Sequence, residues 1–430
     1  MEVKRSPALW FYRLIWIPAL FVVQVLAVLE NILGGRIWPK RWRLRERLGW
    51  RWPEPLSGKT IWLHAASLGE CKGLWALAES LKELLKELPV SFVLTANTTS
   101  GLEFLSKRIA SLEDSQRWRA VLAPFDHPAI IGRFLQRFRV QALVLFEVEL
   151  WPHFISTTRK NGKPVFWVSA RLTPKALRYH RLFPKTARTL LGKLSWIQTQ
   201  SGEEANALRS WGCKSVSVGS DLRGLYYLHS LHNIFQSARK DWTRCLGVAF
   251  ISLHQEELGA VLPAIKNIDS SNPLFVFPRK MEELRHFQNA LMPLGFDLHS
   301  QNPDSPRLIV DSFGLVAKFL ERCHAAVIGG SFAPYGGHNL WEPLAAGIGM
   351  IMGPHYSNQN YLAQKLAAAG LLHIANGPLD GEFLRKSDGD PGPACREFAA
   401  QENRILLESL ASIRRLVSID QAATQPATYP

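Results

Sequence analysis

The chain has 430 residues, with 51 Lys and Arg against 36 Asp and Glu, a formal net charge of +15. That length exceeds one comfortable core and predicts two domains. The basic surplus predicts an anionic partner: nucleic acid, acidic lipid or a phosphorylated substrate. The cysteines, Cys71, Cys213, Cys245, Cys323 and Cys395, lie far apart, with no CxxC or His/Cys cluster. That spacing excludes a zinc site and a disulfide framework and fits a reducing, cytoplasmic setting.

Residues 14–29 are apolar except for Gln24. Extended back to Ala8, with Arg13 snorkelling, the run reaches the roughly 20 residues of a spanning helix. Arg36, Lys40, Arg41, Arg43, Arg45 and Arg47 follow it, interleaved with Trp38, Trp42 and Trp50. The heavier basic cluster downstream predicts a main body on the cytoplasmic side, against an anionic leaflet. Residues 1–35 are thus expected to be a membrane-anchoring helix. The alternative is a buried helix of a soluble domain. No small-residue cleavage site follows, so a removed signal peptide is not expected.

From residue 60 the pattern becomes strand–helix alternation. Strands are predicted at 60–65, 90–95, 120–122, 141–146, 164–169, 195–199 and 215–218. Leu74, Leu77, Leu81, Leu84 and Leu88 recur at helical spacing between the first two. The rhythm breaks at 225–246, an expected linker. Strands resume at 247–253, 274–277, 308–310, 325–328 and 350–352. A long helix is expected near 394–417 and a disordered tail from 420. The chain is therefore read as α/β, with domains at 36–224 and 247–419 that face each other across a cleft.

The candidate site residues stand at predicted strand ends, where ligands bind in open α/β sheets. Ser67, Gly69 and Glu70 end the first strand; Ser67 and Glu70 have capping-box spacing, so a helix cap competes with a chemical role. Thr98 lies in a polar run ending the second strand, as N-cap or ligand contact. Glu147 and Glu149 close another, and Arg171 is their candidate ion partner, because an unpaired buried carboxylate is costly. In the second half, Ser252 ends a strand. Pro278 and Arg279 end the next, and Arg279 is suited to a phosphate or carboxylate, or to a surface salt bridge. Phe313 and Gly314 lie in a third candidate ligand loop. The stretch IGGSFAPYGGHNLWEPLAAG at 328–347 follows an apolar strand and carries Gly330, Ser331, Gly337, His338, Asn339 and Glu342. Its glycines allow sharp turns and close ligand approach, and Asn339 three residues before Glu342 signals a helix start. A helix N-terminus beside such a loop suits a phosphate.

HAASLGE at 64–70, APFDHP at 123–128, FEVELWP at 146–152, SARLTPKALRYHRL at 169–182, the 328–347 loop and GPHYSNQN at 353–360 occur in one order. In that order they resemble the 3-deoxy-D-manno-octulosonic acid (Kdo) transferases. The resemblance implies a GT-B glycosyltransferase fold of two Rossmann-like domains, with CMP-Kdo as donor and the lipid A precursor (lipid IVA) as acceptor. It implies inverting transfer, no metal and no other cofactor, and a place at the cytoplasmic face of the inner membrane. The partners it implies are those two substrates and anionic inner-membrane lipids, with no nucleic acid.

By position, Glu70 matches the general base. Ser252, Pro278, Arg279, Phe313, Gly314 and the six residues of the 328–347 loop fall to the donor site. Ser67, Gly69, Thr98, Glu147, Glu149, Arg171 and Arg223 fall to the acceptor side or its support. The chain departs from the family pattern in four places, one being Ser252 to Glu257, which is one residue shorter than the usual pattern. Lys280 stands where the family has His, Asp311 to Val316 lacks the family's Glu, and 219–223 carries an extra residue. A GT-B enzyme with another nucleotide sugar, or a membrane module that binds glycolipid without catalysis, are the alternatives.

Overall fold

A computed structural model describes residues 19, 22–28, 43–227, 247–269, 272–384 and 389–422. The chain divides into two compact units, 1–226 with 405–430, and 227–404. The last helix, Gly392–Ala422, thus ends in the first unit, whereas the sequence placed it wholly with the second.

The first unit holds strands β1 (Lys59–Ala65), β2 (Val90–Ala96), β3 (Trp118–Leu122), β4 (Val140–Phe146), β5 (Val165–Ala170), β6 (Trp196–Thr199) and β7 (Val216–Val218). They form one sheet in the order β3-β2-β1-β4-β5-β6-β7. All its pairings are parallel. Helices cover both faces, which is why β2 and β5 are buried along their whole length. Trp62 and His64, two residues apart on β1, share a face and both meet Phe154, at ring distances of 4.8 and 5.1 Å. On the other face Phe92 stacks on Trp118 at 4.5 Å.

The second unit holds β8 (Gly247–Leu253), β9 (Leu274–Pro278), β10 (Asp297–Leu298), β11 (Arg307–Ile309), β12 (Cys323–Ile328), β13 (Gly349–Met352) and β14 (Leu372–Ile374). Their order is β10-β11-β9-β8-β12-β13-β14. Each expected strand is present within about two residues of its predicted limits. The edge strands β10 and β14 were not expected; two or three residues are too short to display a period. In both sheets the winding reverses beside the first strand of the unit, between β1 and β4 and between β8 and β12. Such reversals open a crevice at the carboxyl ends of the strands.

Of the expected anchor, residues 22–28 are helical, and Ala27 is buried against Leu44, Leu48 and Ile130. Most of 1–35, residues 228–246 of the linker and the tail from 423 lie outside the described residues. No described helix is long and apolar enough to cross a membrane. Two cations of the basic flank serve the fold instead. Arg47 donates to the Asn97 carbonyl at 2.5 Å and the Ala123 carbonyl at 3.2 Å, just beyond β2 and β3. These carbonyls sit where the strand ladder has ended and other donors must satisfy them. Arg43 pairs with Glu46 at 2.6 Å.

Candidate active site

In the first unit, β1 delivers the chain to Ser67, the N-cap of the helix Leu68–Leu84. The capping box forms: the Ser67 hydroxyl accepts from the Glu70 amide at 3.5 Å, and Glu70 Oε2 accepts from the Ser67 amide at 3.3 Å. The same Oε2 accepts from the Ala66 amide at 2.7 Å. Among the described residues, Oε1 has no donor. Burial raises the Glu70 pKa, the negative charge of Glu147 raises it further, the Ala66 hydrogen bond opposes, and Glu149 adds to the rise; it stands at about 7. A cap alone has no use for a carboxyl poised at neutrality, whereas a general base does. A Cβ on Gly69 would meet nothing within 4 Å, so the space beside Glu70 is open.

Glu147 follows β4 with φ 56°. The left-handed region is costly for a residue with a side chain, about 1–3 kcal/mol, and persists where surroundings over-determine it. Here the carboxylate is held between Arg223 Nε at 3.2 Å and Arg171 Nη2 at 3.6 Å. Asp221 in turn binds Arg223, Oδ2 to Nη2 at 2.7 Å. Burial pushes the Glu147 carboxyl up, Arg223 pulls it back, Asp221 pushes it up again, and Arg171 and Glu149 add smaller opposite effects; it stays above its ordinary value. The pairing of Arg171 with a strand-end carboxylate is as expected, and Arg223 joins it from the 219–223 segment.

Glu149 behaves oppositely. Its Oε2 accepts from His64 Nε2 at 3.1 Å, Asn97 Nδ2 at 3.1 Å and Trp151 Nε1 at 2.5 Å. Burial would raise its pKa, but these hydrogen bonds outweigh it and hold the carboxyl low. Glu149 is therefore a fixed negative charge. His64 and Asn97 were not singled out in the sequence. The signal for His64 was a lone polar residue inside the apolar strand 60–65, on the same side as Trp62. Thr98, by contrast, is a cap: its hydroxyl accepts from the Gly101 amide at 3.2 Å. Asp126 of APFDHP caps the helix Pro152–Lys160, accepting from the His153 and Phe154 amides at 3.1 and 2.7 Å.

In the second unit the glycine loop departs from expectation. Its amides do not stand open to a phosphate. The fully buried Glu257 accepts from the amides of Gly330, Ser331 and Phe332 at 2.7, 2.9 and 2.8 Å, and from His254 N at 2.9 Å. Nor does Gly329 make room for a ligand. A Cβ there would lie 2.3 Å from the Ser252 carbonyl, so the glycine lets β12 pass the turn after β8, where Ser252 has φ 56°. Ser331 is fully buried. Its hydroxyl donates to the Ile328 carbonyl at 2.5 Å and accepts from the Gly353 amide at 2.8 Å, tying β12 to the end of β13. The expected cap at Asn339 forms in a shorter register: its Oδ1 accepts from the Trp341 amide at 3.1 Å, and the helix Trp341–Ala345 begins with Glu342 already inside it. Glu257 went unnoticed because its partners are 73 to 75 residues away.

The loop presents His338. Its Nε2 lies 3.1 Å from His254 Nε2, and His254 stacks on Tyr335 at 3.8 Å. One nitrogen of that pair donates and the other accepts, so the pair shares one proton there. Burial, then Arg279, then His254 drive the His338 pKa down to about 3. Burial also lowers His254. Arg279, placed by the end of β9, is exposed, and among the described residues no carboxylate pairs with it. Gly337, at φ 78°, packs under Met352 and Tyr356, and Phe313 is 72% exposed beside Gly314. Pro278 is buried in β9. The expected donor residues therefore fall into exposed ones (Arg279, Phe313), a half-buried imidazole (His338) and scaffold (Ser252, Pro278, Ser331, Gly337).

Two parallel sheets, each with polar residues gathered where its winding reverses, define a two-domain α/β fold of the GT-B kind. A glycosyltransferase from Rickettsia africae shares that fold, at TM-score 0.54 and 9% identity over 84% of this chain and 99% of that one. A UDP-GlcNAc 2-epimerase from Neisseria meningitidis shares it too, at TM-score 0.52 and 12% identity over 82% of this chain and all of that one. Residues 42–224 match the family described as 3-Deoxy-D-manno-octulosonic-acid transferase (kdotransferase). A 3-deoxy-D-manno-octulosonic acid transferase of Bordetella pertussis is 27% identical over 371 residues, covering 79% of this chain and 84% of its own. One from Aquifex aeolicus is 26% identical over 314 residues, covering 72% and 80%. Over residues 42–224 the first unit thus matches the Kdo transferase family, and the relatives that span most of the chain are named Kdo transferases.

Proposed function

We propose that this enzyme moves Kdo from CMP-Kdo to a sugar hydroxyl of the lipid A precursor, with inversion, at the cytoplasmic face of the inner membrane. The observation that carries the chemistry is Glu70, a carboxyl raised to about 7 at the winding reversal of the first sheet. Its Oε2 is fixed by the Ala66 and Ser67 amides, which leaves Oε1 to take the proton of the attacking hydroxyl. As that proton leaves, the oxygen bonds to the anomeric carbon of Kdo on the face opposite CMP. The electrons of the old bond depart with the CMP phosphate. By analogy with glycoside hydrolysis, the transition state has oxocarbenium character.

The donor carries a phosphate and a sugar carboxylate. With the loop amides bonded to Glu257, that charge falls to Arg279, which can bind an oxyanion through two parallel N–H bonds. His338 stays neutral and contributes a hydrogen bond rather than a charge. Asn339 on the loop and Glu342 in the helix that follows it serve the sugar hydroxyls, and Phe313 offers an exposed ring. Support comes from the relatives named as Kdo transferases. Mass spectrometry of the product formed from CMP-Kdo and lipid A precursor tests the reading. A product that gains no Kdo, or that gains a sugar from a UDP donor, would replace it.

A further inference from the structure

We infer that Lys280 is a positioning residue for the donor site: it occupies the buried carboxylate of Glu283 and so leaves Arg279 free to meet an anion. This rests on the reading above that Arg279 binds the donor. The loops that follow β8, β9 and β12 are neighbours, because the strands stand in the order β9-β8-β12. They bring acids to that edge in two short runs, Glu256 and Glu257 after β8, and Glu282 and Glu283 after β9. An edge that receives an anion must neutralise such groups. A carboxylate beside the ligand repels it, and one beside the arginine competes for its N–H groups.

Each acid has its own partner. Glu257 is held by its four amides. Glu256 Oε1 accepts from Gln255 Nε2 at 3.3 Å, and Glu256 also accepts from the Tyr335 hydroxyl. Glu282 is exposed to water. Glu283 is different, because its side chain is only 9% exposed. Its Oε2 accepts from the Gln255 amide at 3.1 Å, which ties the loop after β9 to the loop after β8. Its Oε1 accepts from Lys280 Nζ at 2.8 Å, and the Lys280 side chain is 53% exposed. The ammonium therefore reaches in from the surface to a carboxylate that water does not reach.

Without Lys280 that carboxylate keeps one amide for its whole charge, and an uncompensated buried charge is costly. The cation next in line is Arg279. It precedes Glu283 by four residues, a spacing that brings side chains together around a helical turn, and Met281–Glu283 is such a turn. Both groups already act on one imidazole. The His254 pKa is lowered first by burial; Glu257 and Glu283 oppose that, and Lys280 and Arg279 add to it. Arg279 also acts on His338, whose Nε2 lies 3.1 Å from that of His254. Arg279 and Glu283 thus flank the same pair of rings, yet among the described residues no bond joins them. A guanidinium grips a carboxylate through two parallel N–H bonds, so a captured Arg279 has no fork left for a phosphate.

The test is CMP binding by calorimetry on the full chain, with a thermal melt of each variant to register folding. Lys280→Met weakens CMP by about ten- to a hundredfold, the worth of one hydrogen bond to a charged group. Lys280→Arg keeps the ion pair and binds CMP as the wild type does. In Lys280→Met with Glu283→Gln no carboxylate remains to capture Arg279, and the affinity returns. Arg279→Ala costs its full amount in the wild type and little in the Lys280→Met background, where Arg279 is already engaged. A loss in Lys280→Met that Glu283→Gln does not restore makes Lys280 itself a ligand of the phosphate, and overturns the inference. So do losses from Lys280→Met and Arg279→Ala that multiply, as a mere change of local charge gives. So does a Lys280→Met chain that melts lower and binds CMP normally. Glu283→Gln alone leaves Arg279 free and CMP affinity undiminished; a loss there overturns the inference without recourse to a Lys280 variant. If Arg279→Ala alone leaves CMP affinity unchanged, the donor reading of Arg279 falls and the role of Lys280 with it. If Arg279→Ala weakens CMP and Lys280→Met does not, the donor reading stands and only the role of Lys280 falls.

Discussion

The two sheets reverse their winding at equivalent places and fill those places with opposite chemistry. Beside β1 and β4 stand the carboxyls Glu70, Glu147 and Glu149. Beside β8 and β12 stand Arg279, His254 and His338. Each centre contains a residue forced into the left-handed region, Glu147 in one and Ser252 in the other. Each also contains a buried acid. In the first unit that acid, Glu147, adds its charge to the effect of burial in raising its neighbour Glu70 toward neutrality. In the second, Glu257 is consumed by four amides and shapes the loop. Topology therefore decides where polar groups gather, and the partners of each buried carboxylate decide what they do. On the function proposed above, one centre takes a proton and the other holds an anion.

Removing the base cuts deepest into that contrast. Glu70→Gln keeps the shape and the hydrogen-bond acceptor of the cap, so the variant folds and binds CMP normally. Turnover falls by roughly 10²–10⁴-fold. Near-normal turnover would return Glu70 to a helix cap and leave the first centre without a base.

Glu257→Ala tests the opposite assignment, that this acid is structural. It orphans four buried amides, and a hydrogen bond to a charged group contributes about 1.5–3 kcal/mol. A loss of about 3 kcal/mol or more in the unfolding of the second unit is expected by denaturant titration. A variant of normal stability that merely loses CMP would show that the carboxylate acts on ligand instead.

Arg279→Ala is expected to weaken CMP-Kdo binding by about 1.5–3 kcal/mol with stability unchanged. Arg279→Lys recovers little if the contact is bidentate. Calorimetry showing equal CMP affinity in all three proteins would remove Arg279 from the anion site.

The finest effects are in pH. The base must be ionised, so kcat/KM rises with pH through about 7. Glu149→Gln removes one of the like charges that raise Glu70, and the limb moves to lower pH by less than about one unit. A shift upward would contradict the like-charge account. In the second unit the pKa shift is downward and bears on stability. His338 holds a folded pKa of about 3 against 6.5 unfolded, so the unfolded chain binds more protons between those values. Stability from this group is present above pH 6.5 and is lost as the pH falls toward 3. His338→Gln flattens that dependence in thermal melts taken from pH 7 to pH 4.

The sequence alone determined every strand but the edge strands β10 and β14, the alternating α/β pattern and the placement of candidate residues at strand ends. Those are local properties: buried parallel strands are continuous apolar runs, and glycine, proline and capping residues mark where they stop. It also carried the family, because ordered motifs need no coordinates. Which groups those motifs bring together was decided by the tertiary structure. Arg223 reaches Glu147 across 76 residues, and Glu257 reaches the glycine loop across more than 70. The loop's glycines read in sequence as an open phosphate cradle, and in space their amides are already bonded. Arg47 read as a lipid contact, and in space it closes the ends of two strands. A side chain's charge is written in the chain, but its protonation and its partner depend on what else is buried within a few ångströms, and only folding brings those neighbours together.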